Sequence, residues 1–123
     1  MNTVTRIAQS FRCAGHGLAR LVLTQRNFRI HLLAACLVAV LALWLGVSGG
    51  QLAALVIAVG LVLVSEAFNT AVEYTVDLAS PQLQPLAKTA KDVSAAGVLL
   101  AALTALAVGL VVLGPRLLER LNR

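Results

Sequence analysis

Acidic residues are scarce in this chain: there are five in 123 residues, and none occurs before Glu66. Any carboxylate chemistry is therefore confined to the second half. Charge of either sign is thin, with 12% charged residues, 59% hydrophobic residues and a mean hydropathy of +0.90. Soluble domains carry about 25% charged and 45–50% apolar residues, so an ordinary soluble domain is excluded and an integral membrane protein is predicted. Aromatic residues make up 4%, which offers few stacking platforms for nucleic acid. The net charge of +5 instead sits on residues that flank apolar runs, where lipid is the better partner. The two cysteines, Cys13 and Cys36, fall on different elements, which argues against a disulfide and for free thiols. No G-x-x-x-x-G-K-[ST] loop occurs; Gly15-His16-Gly17 follows no strand, and its glycines are read as permitting close approach. His16 and His31 have no partner at metal-ligand spacing, and no internal repeat appears.

Long apolar runs are what the chain does have. Ile30 to Val47 is broken only by His31, and Val93 to Leu113 contains only Ser94 and Thr104 as polar residues. Each is long enough to cross about 30 Å of hydrocarbon. Between them, Leu52 to Val64 is apolar and then runs into acidic residues up to Leu78, which reads as one long helix whose last turns must face protein. In the first 29 residues, Ile7, Phe11, Ala14, Leu18, Leu21 and Val22 recur at helical spacing, with Arg6, Gln9, Arg12 and Arg20 mainly on other faces. That pattern suits an amphipathic helix in the headgroup plane. The prediction is an all-α membrane protein forming a single domain over 1–123: a surface helix over 1–29, spans over 30–47, 52–78 and 90–113, and a tail over 114–123.

No cleaved leader is expected, because the charges run to Arg29 and no cleavage motif follows the apolar stretch. Leu33-Ala34-Ala35-Cys36 resembles a lipoprotein box, but most of the apolar run follows it instead of preceding it. With the N-terminus inside, Arg6, Arg12, Arg20, Arg26, Arg29, Lys88 and Lys91 face Arg116, Arg120 and Arg123 across the membrane. This excess favours a cytoplasmic N-terminus. Ser48-Gly49-Gly50 would form a short outer turn, and Ser80-Pro81 to Pro85 would break the second helix on the inner side.

The densest chemistry lies in E-A-F-N-T-A-V-E-Y-T-V-D, Glu66 to Asp77. At about 100° per residue, Glu66, Asn69, Glu73 and Asp77 fall within an arc of about 80°, a stripe roughly 16 Å long. Like charges at i, i+4 repel, and each costs at least about 2.5 kcal/mol toward a bilayer centre. Stability alone would not select such a stripe. Lys88 and Lys91 lie nearby; if the third helix begins near Thr89 they sit by its positive N-terminus, where phosphate binds. Thr89-x-x-Asp92 also fits a capping box, and interfacial lysines are common. Carboxylates for a divalent metal beside lysines for phosphate match the needs of phosphoryl transfer.

E-A-F-N-T-A-V-E-Y-T-V-D followed by S-P and then L-A-K-T-A-K-D closely resembles the signature of the small bacterial membrane diacylglycerol kinase and undecaprenol kinase family. The likeness runs from Arg6 to about Leu113. Arg26-Asn27-Phe28-Arg29-Ile30-His31 looks more like the undecaprenol kinase branch. The resemblance implies a homotrimer in the bacterial inner membrane, with sites between protomers, that uses ATP and Mg²⁺ to phosphorylate a lipid hydroxyl. It makes Glu66 the base and Glu73 a metal-binding carboxylate, with Asn69 and Asp77 as supporting polar groups. Lys91 and Asp92 match the residues that engage nucleotide phosphates, Arg6 matches a basic residue near nucleotide or lipid headgroup, and Asn27 and Arg29 fall with Glu66 at the lipid side.

The departures fall on the nucleotide and metal side. Gln25 stands where the family has a second metal-binding glutamate, and an amide oxygen is a neutral ligand to a hard dication. Gln82-Leu83-Gln84 replaces a Glu-Tyr-His segment that touches nucleotide, and Cys13 replaces an aromatic residue. The reading is a lipid kinase, its activity weakened by Gln25. The alternatives are a non-catalytic or altered-donor relative, or a small membrane subunit whose acids bind cations or relay protons. Gly97, Ala101, Ala105 and Gly109 repeat every four residues, as a close helix contact or an Ala-rich span would.

Overall fold

The structure, a computed structural model, describes residues 2–82 and 84–122. Leu83 of the altered loop and Arg123 of the orientation count lie outside the described residues. The described chain is all helical: α1 spans Thr3–Thr24, α2 Arg26–Trp44, α3 Gly49–Ala79 and α4 Pro85–Leu121. The last three are long and apolar enough to cross a membrane.

A single extended residue, Gln25 (φ −98°, ψ 112°), separates α1 from α2. The first span therefore opens at Arg26, ahead of the predicted Ile30, because Phe28 is already drawn into the bundle and is 3% exposed. At its far end α2 stops on glycine. Gly46 takes φ 64°, a left-handed conformation open to glycine at little cost. Gly46 N donates to Leu43 O at 3.2 Å and Val47 N to Ala42 O at 2.9 Å, the paired bonds of a Schellman stop. Ala42 and Val47 then share a core cluster with Leu55 and Val112. The turn is thus Leu45–Ser48, and Gly49 and Gly50, predicted to lie in it, open α3.

The α4 helix corrects two expectations. It starts at Pro85, not near Thr89, because proline at the first helical position is pre-set for the helix and neither Pro nor Gly occurs from Leu86 to Ala96. The capping box does not form: Thr89 Oγ1 donates to Pro85 O at 3.0 Å inside the helix. Lys88 and Lys91 consequently lie beyond the first free N–H groups, where the helix dipole has faded. Residues 114–121, expected to lie in a tail, belong to α4, which continues through Pro115 to Leu121.

The α3 and α4 helices form the main packing pair, with α2 against α3 and α1 mostly against α2. No residue of α1 is buried, and large apolar side chains such as Leu37, Leu43, Leu99 and Val111 point outward. That inversion of a soluble core is what lipid as solvent allows. A Cβ built at Gly15, Gly17, Gly97 or Gly109 would meet nothing within 4 Å. Within the chain, then, these glycines do not mediate the close approach read from the sequence; Ala101 alone of the small-residue stripe is buried.

Candidate active site

The polar stripe of α3 is preserved as one connected edge of the α3–α4 contact. An uninterrupted α3 carries Glu66, Asn69, Glu73 and Asp77 on one side. Asn69 is the joint: its Nδ2 donates to Glu73 Oε1 at 3.1 Å, and its Oδ1 accepts a short hydrogen bond from Ser94 Oγ of α4. Ser94 also reaches Lys91 O at 3.1 Å. One turn further along, Lys91 Nζ meets Asp77 Oδ1 at 2.9 Å. The stripe is thereby stitched to α4 at two heights, which fixes carboxylates that would otherwise repel.

Glu66 is the deepest member, 3% exposed, beside Asn69 at 7% and Thr70 at 3%. Thr70 Oγ1 donates to the Glu66 backbone carbonyl at 3.0 Å. Among the described residues no hydrogen bond engages the Glu66 carboxylate. It borders a cleft of about 250 Å³ between α2, α3 and α4, with Asn27 and His31 opposite and Val98 and Ala102 behind. Asn27 and His31 lie four apart and so share a face of α2. His31 and Ala102 also line a neighbouring apolar groove of about 280 Å³ that follows Val38, Leu55 and Ala58. A buried carboxylate thus borders a cleft that adjoins an apolar groove at His31 and Ala102.

Of the residues assigned to the lipid side, Asn27 meets Glu66 at this cleft. Arg29 does not: two positions further round α2, it is exposed and its Nη1 lies 3.4 Å from Leu23 O. On the nucleotide side, Lys91 and Asp92 point to different partners, Lys91 to Asp77 and Asp92 to Lys88 Nζ at 2.7 Å. Gln82 and Gln84 are exposed in the loop before α4, with Gln84 N bonded to Ser80 Oγ at 3.2 Å. Arg6 is exposed on α1.

Gln25 is tied to α3 through Tyr74, which follows Glu73 in sequence but points about 100° away from it. Its Nε2 donates to Tyr74 Oη at 3.0 Å and to Thr24 Oγ1 at 3.2 Å. Donation through nitrogen leaves Oε1 as the atom for a cation. Among the described residues no cluster of three or more His, Cys, Asp or Glu forms. Mg²⁺ does not need one, because it keeps waters and takes one or two carboxylates plus substrate phosphates.

Three participants escape a reading of the sequence: Ser94, His31 and Tyr74. Ser94 could have been found as the polar residue three after Lys91, on the same face of a helix. His31 and Tyr74 are placed by packing between helices, which spacing along one helix does not reveal.

The model of the prokaryotic diacylglycerol kinase family matches residues 12–113. An undecaprenol kinase of Bacillus subtilis is 35% identical over 116 residues, 94% of this chain and 94% of that protein. A diacylglycerol kinase of Synechocystis is 44% identical over 111 residues, 89% of this chain but 63% of that longer protein. The diacylglycerol kinase of Escherichia coli K12 is 32% identical over 107 residues, 85% of this chain and 88% of that protein. The matched span takes in the stripe, Lys91 and the helices that join them, and the chain belongs to the prokaryotic diacylglycerol kinase family.

Proposed function

We propose that this protein is a lipid kinase that transfers a phosphoryl group from MgATP to the hydroxyl of undecaprenol or diacylglycerol. The observation that carries this reading is the Glu66 carboxylate, buried yet bordering a cleft that adjoins an apolar groove. In this reading the groove takes the first carbons of a lipid tail and the cleft its hydroxyl. Glu66 takes the hydroxyl proton as the oxygen attacks, with Asn27 available to orient that oxygen. Lys91 keeps two N–H donors beyond the one given to Asp77, enough to bond phosphate oxygens. Glu73 and Gln25 Oε1 would hold Mg²⁺, whose role is to neutralise charge on the phosphates. Gln82, Gln84 and Asp92 border the nucleotide.

In this reading α1 lies in the headgroup plane, the N-terminus is cytoplasmic, and the protein sits in the bacterial inner membrane as a homotrimer. Outward-facing apolar side chains on every span support burial in lipid and in neighbouring protomers. The decisive experiment offers purified protein labelled ATP and a panel of lipids in detergent. Labelled undecaprenyl phosphate or phosphatidic acid is expected. Absence of label from every lipid at saturating Mg²⁺ would refute the kinase reading and leave a binding role for the acids.

A further inference from the structure

The end of the bundle remote from Glu66 holds a second polar construction that the kinase chemistry does not use. Arg116 Nη2 and Nε donate to Gln51 Oε1 at 2.7 and 3.1 Å, and Nη1 lies 3.3 Å from Leu45 O and 3.1 Å from Gly46 O. The guanidinium thus clamps the end of α2 and the start of α3 to α4. Among the described residues all its hydrogen-bond partners are neutral. One turn on, the guanidinium of Arg120 lies over the Trp44 ring at 5.6 Å from the centroid, a cation–π contact that holds it beside α2. Between them opens a cleft of about 210 Å³ lined by Leu45, Arg116, Glu119 and Arg120. Glu119 forms no ion pair with either arginine among the described residues.

We propose that this cleft binds the phosphodiester headgroup of an anionic phospholipid, in the leaflet opposite the Glu66 site. Its setting is the membrane interface: Trp44 is half exposed at the end of a span, the depth that tryptophan favours, and arginines there meet headgroups. Its charge selects the ligand class. Two guanidinium groups against one carboxylate leave a single positive charge, which suits a diester monoanion better than a dianionic monoester. Arg120, with its guanidinium not committed to any protein hydrogen bond among the described residues, supplies the donors, and the fixed Arg116 supplies field.

Trp44 is the sole tryptophan and lies against Arg120, so its fluorescence reports on lipid at the edge of this cleft. The experiment reconstitutes the protein in phosphatidylcholine vesicles containing brominated lipid, a contact quencher of tryptophan. Brominated phosphatidylglycerol should outcompete brominated phosphatidylcholine at Trp44 by roughly fivefold, the enrichment that one net basic charge gives at the interface. Arg120→Gln, at an exposed position, should abolish the preference, and Glu119→Gln should strengthen it. Lipid phosphorylation by the Arg120→Gln protein should stay at the wild-type level, showing that the variant is folded. Equal quenching by the two lipids in wild type, or an undiminished preference in Arg120→Gln, would overturn the proposal. Loss of the preference on adding millimolar inorganic phosphate at constant ionic strength would overturn the lipid assignment in favour of a free anion.

Discussion

At the scale of single residues, Glu66 carries the sharpest expectation. Among the described residues its carboxylate is the one acidic group that is both buried and on the cleft, so Glu66→Gln should lower kcat by at least about 10²-fold, the usual scale for loss of a general base. Nucleotide affinity, measured separately, should change little; near-normal turnover would remove Glu66 from the mechanism. The stripe itself was legible because a rigid helical period fixes which side chains share a face, whatever surrounds the helix. Gln25 was legible only as a departure. Its bond to Tyr74 depends on how α2 and α3 pack, which the sequence does not state. Replacing Gln25 by Glu keeps that contact, since the tyrosine hydroxyl can donate where it now accepts. A new carboxylate about 4 Å from a dication gains several kcal/mol at an effective dielectric of 20, much of it offset by desolvation and by Glu73. Gln25→Glu should therefore lower the Mg²⁺ midpoint of activity roughly tenfold, about 1.4 kcal/mol. An unchanged midpoint would make Gln25 a pin for the α1–α2 junction and nothing more.

At the scale of elements, the three long apolar helices fall on the three apolar runs of the sequence, while the helix ends lie elsewhere than those runs suggest. Apolar length is a strong signal and chain reversal a subtle one: the α2 stop rests on Gly46, whereas the sequence drew attention to the adjacent Gly49-Gly50. Gly46→Ala tests the observed turn. A side chain in the left-handed region costs about 1–2 kcal/mol, and the thermal midpoint in detergent should fall accordingly, while Gly50→Ala, inside α3, should leave it unchanged or higher. Equal losses in the two variants would argue against the Schellman stop. The early start of α4 matters more for function. It carries Lys91 past the helix terminus, so its charge is set by the ion pair with Asp77 instead of the helix dipole. Ser94 belongs to the same register, and Ser94→Ala should loosen Asn69 from α4 and reduce kcat more than it alters lipid affinity. A change confined to lipid affinity would place Ser94 outside the reaction centre.

The whole molecule poses a question of reach. Asn69, Glu73, Asp77, Lys91 and Ser94 are joined within one chain, with Glu66 beside Asn69 at the cleft, but Arg6 does not join them. From Gln25, bonded to Tyr74 of α3, α1 runs back to Arg6 over nineteen residues, about 28 Å of helix at 1.5 Å per residue. No residue of α1 is buried and Arg6 is exposed, so among the described residues nothing folds Arg6 back onto its own chain. If Arg6 serves a nucleotide, it serves that of a neighbour, and the proposed trimer makes this testable by mixing. Arg6→Ala chains keep Glu66 but starve their neighbours of the arginine, while Glu66→Gln chains lack the base but still offer Arg6. Randomly mixed one to one, about a quarter of the sites should combine an intact Glu66 with an intact neighbouring Arg6, as closed rotational symmetry with one neighbour per site requires. Each variant alone should be deeply impaired, and the mixture should recover activity toward that fraction. Recovery requires exchange of chains, so co-expression is the route and the ratio of the two chains in the purified oligomer is measured alongside activity. A mixture that shows only the average of its two components would place Arg6 outside the neighbour's site and restrict catalysis to groups that a single protomer already brings together.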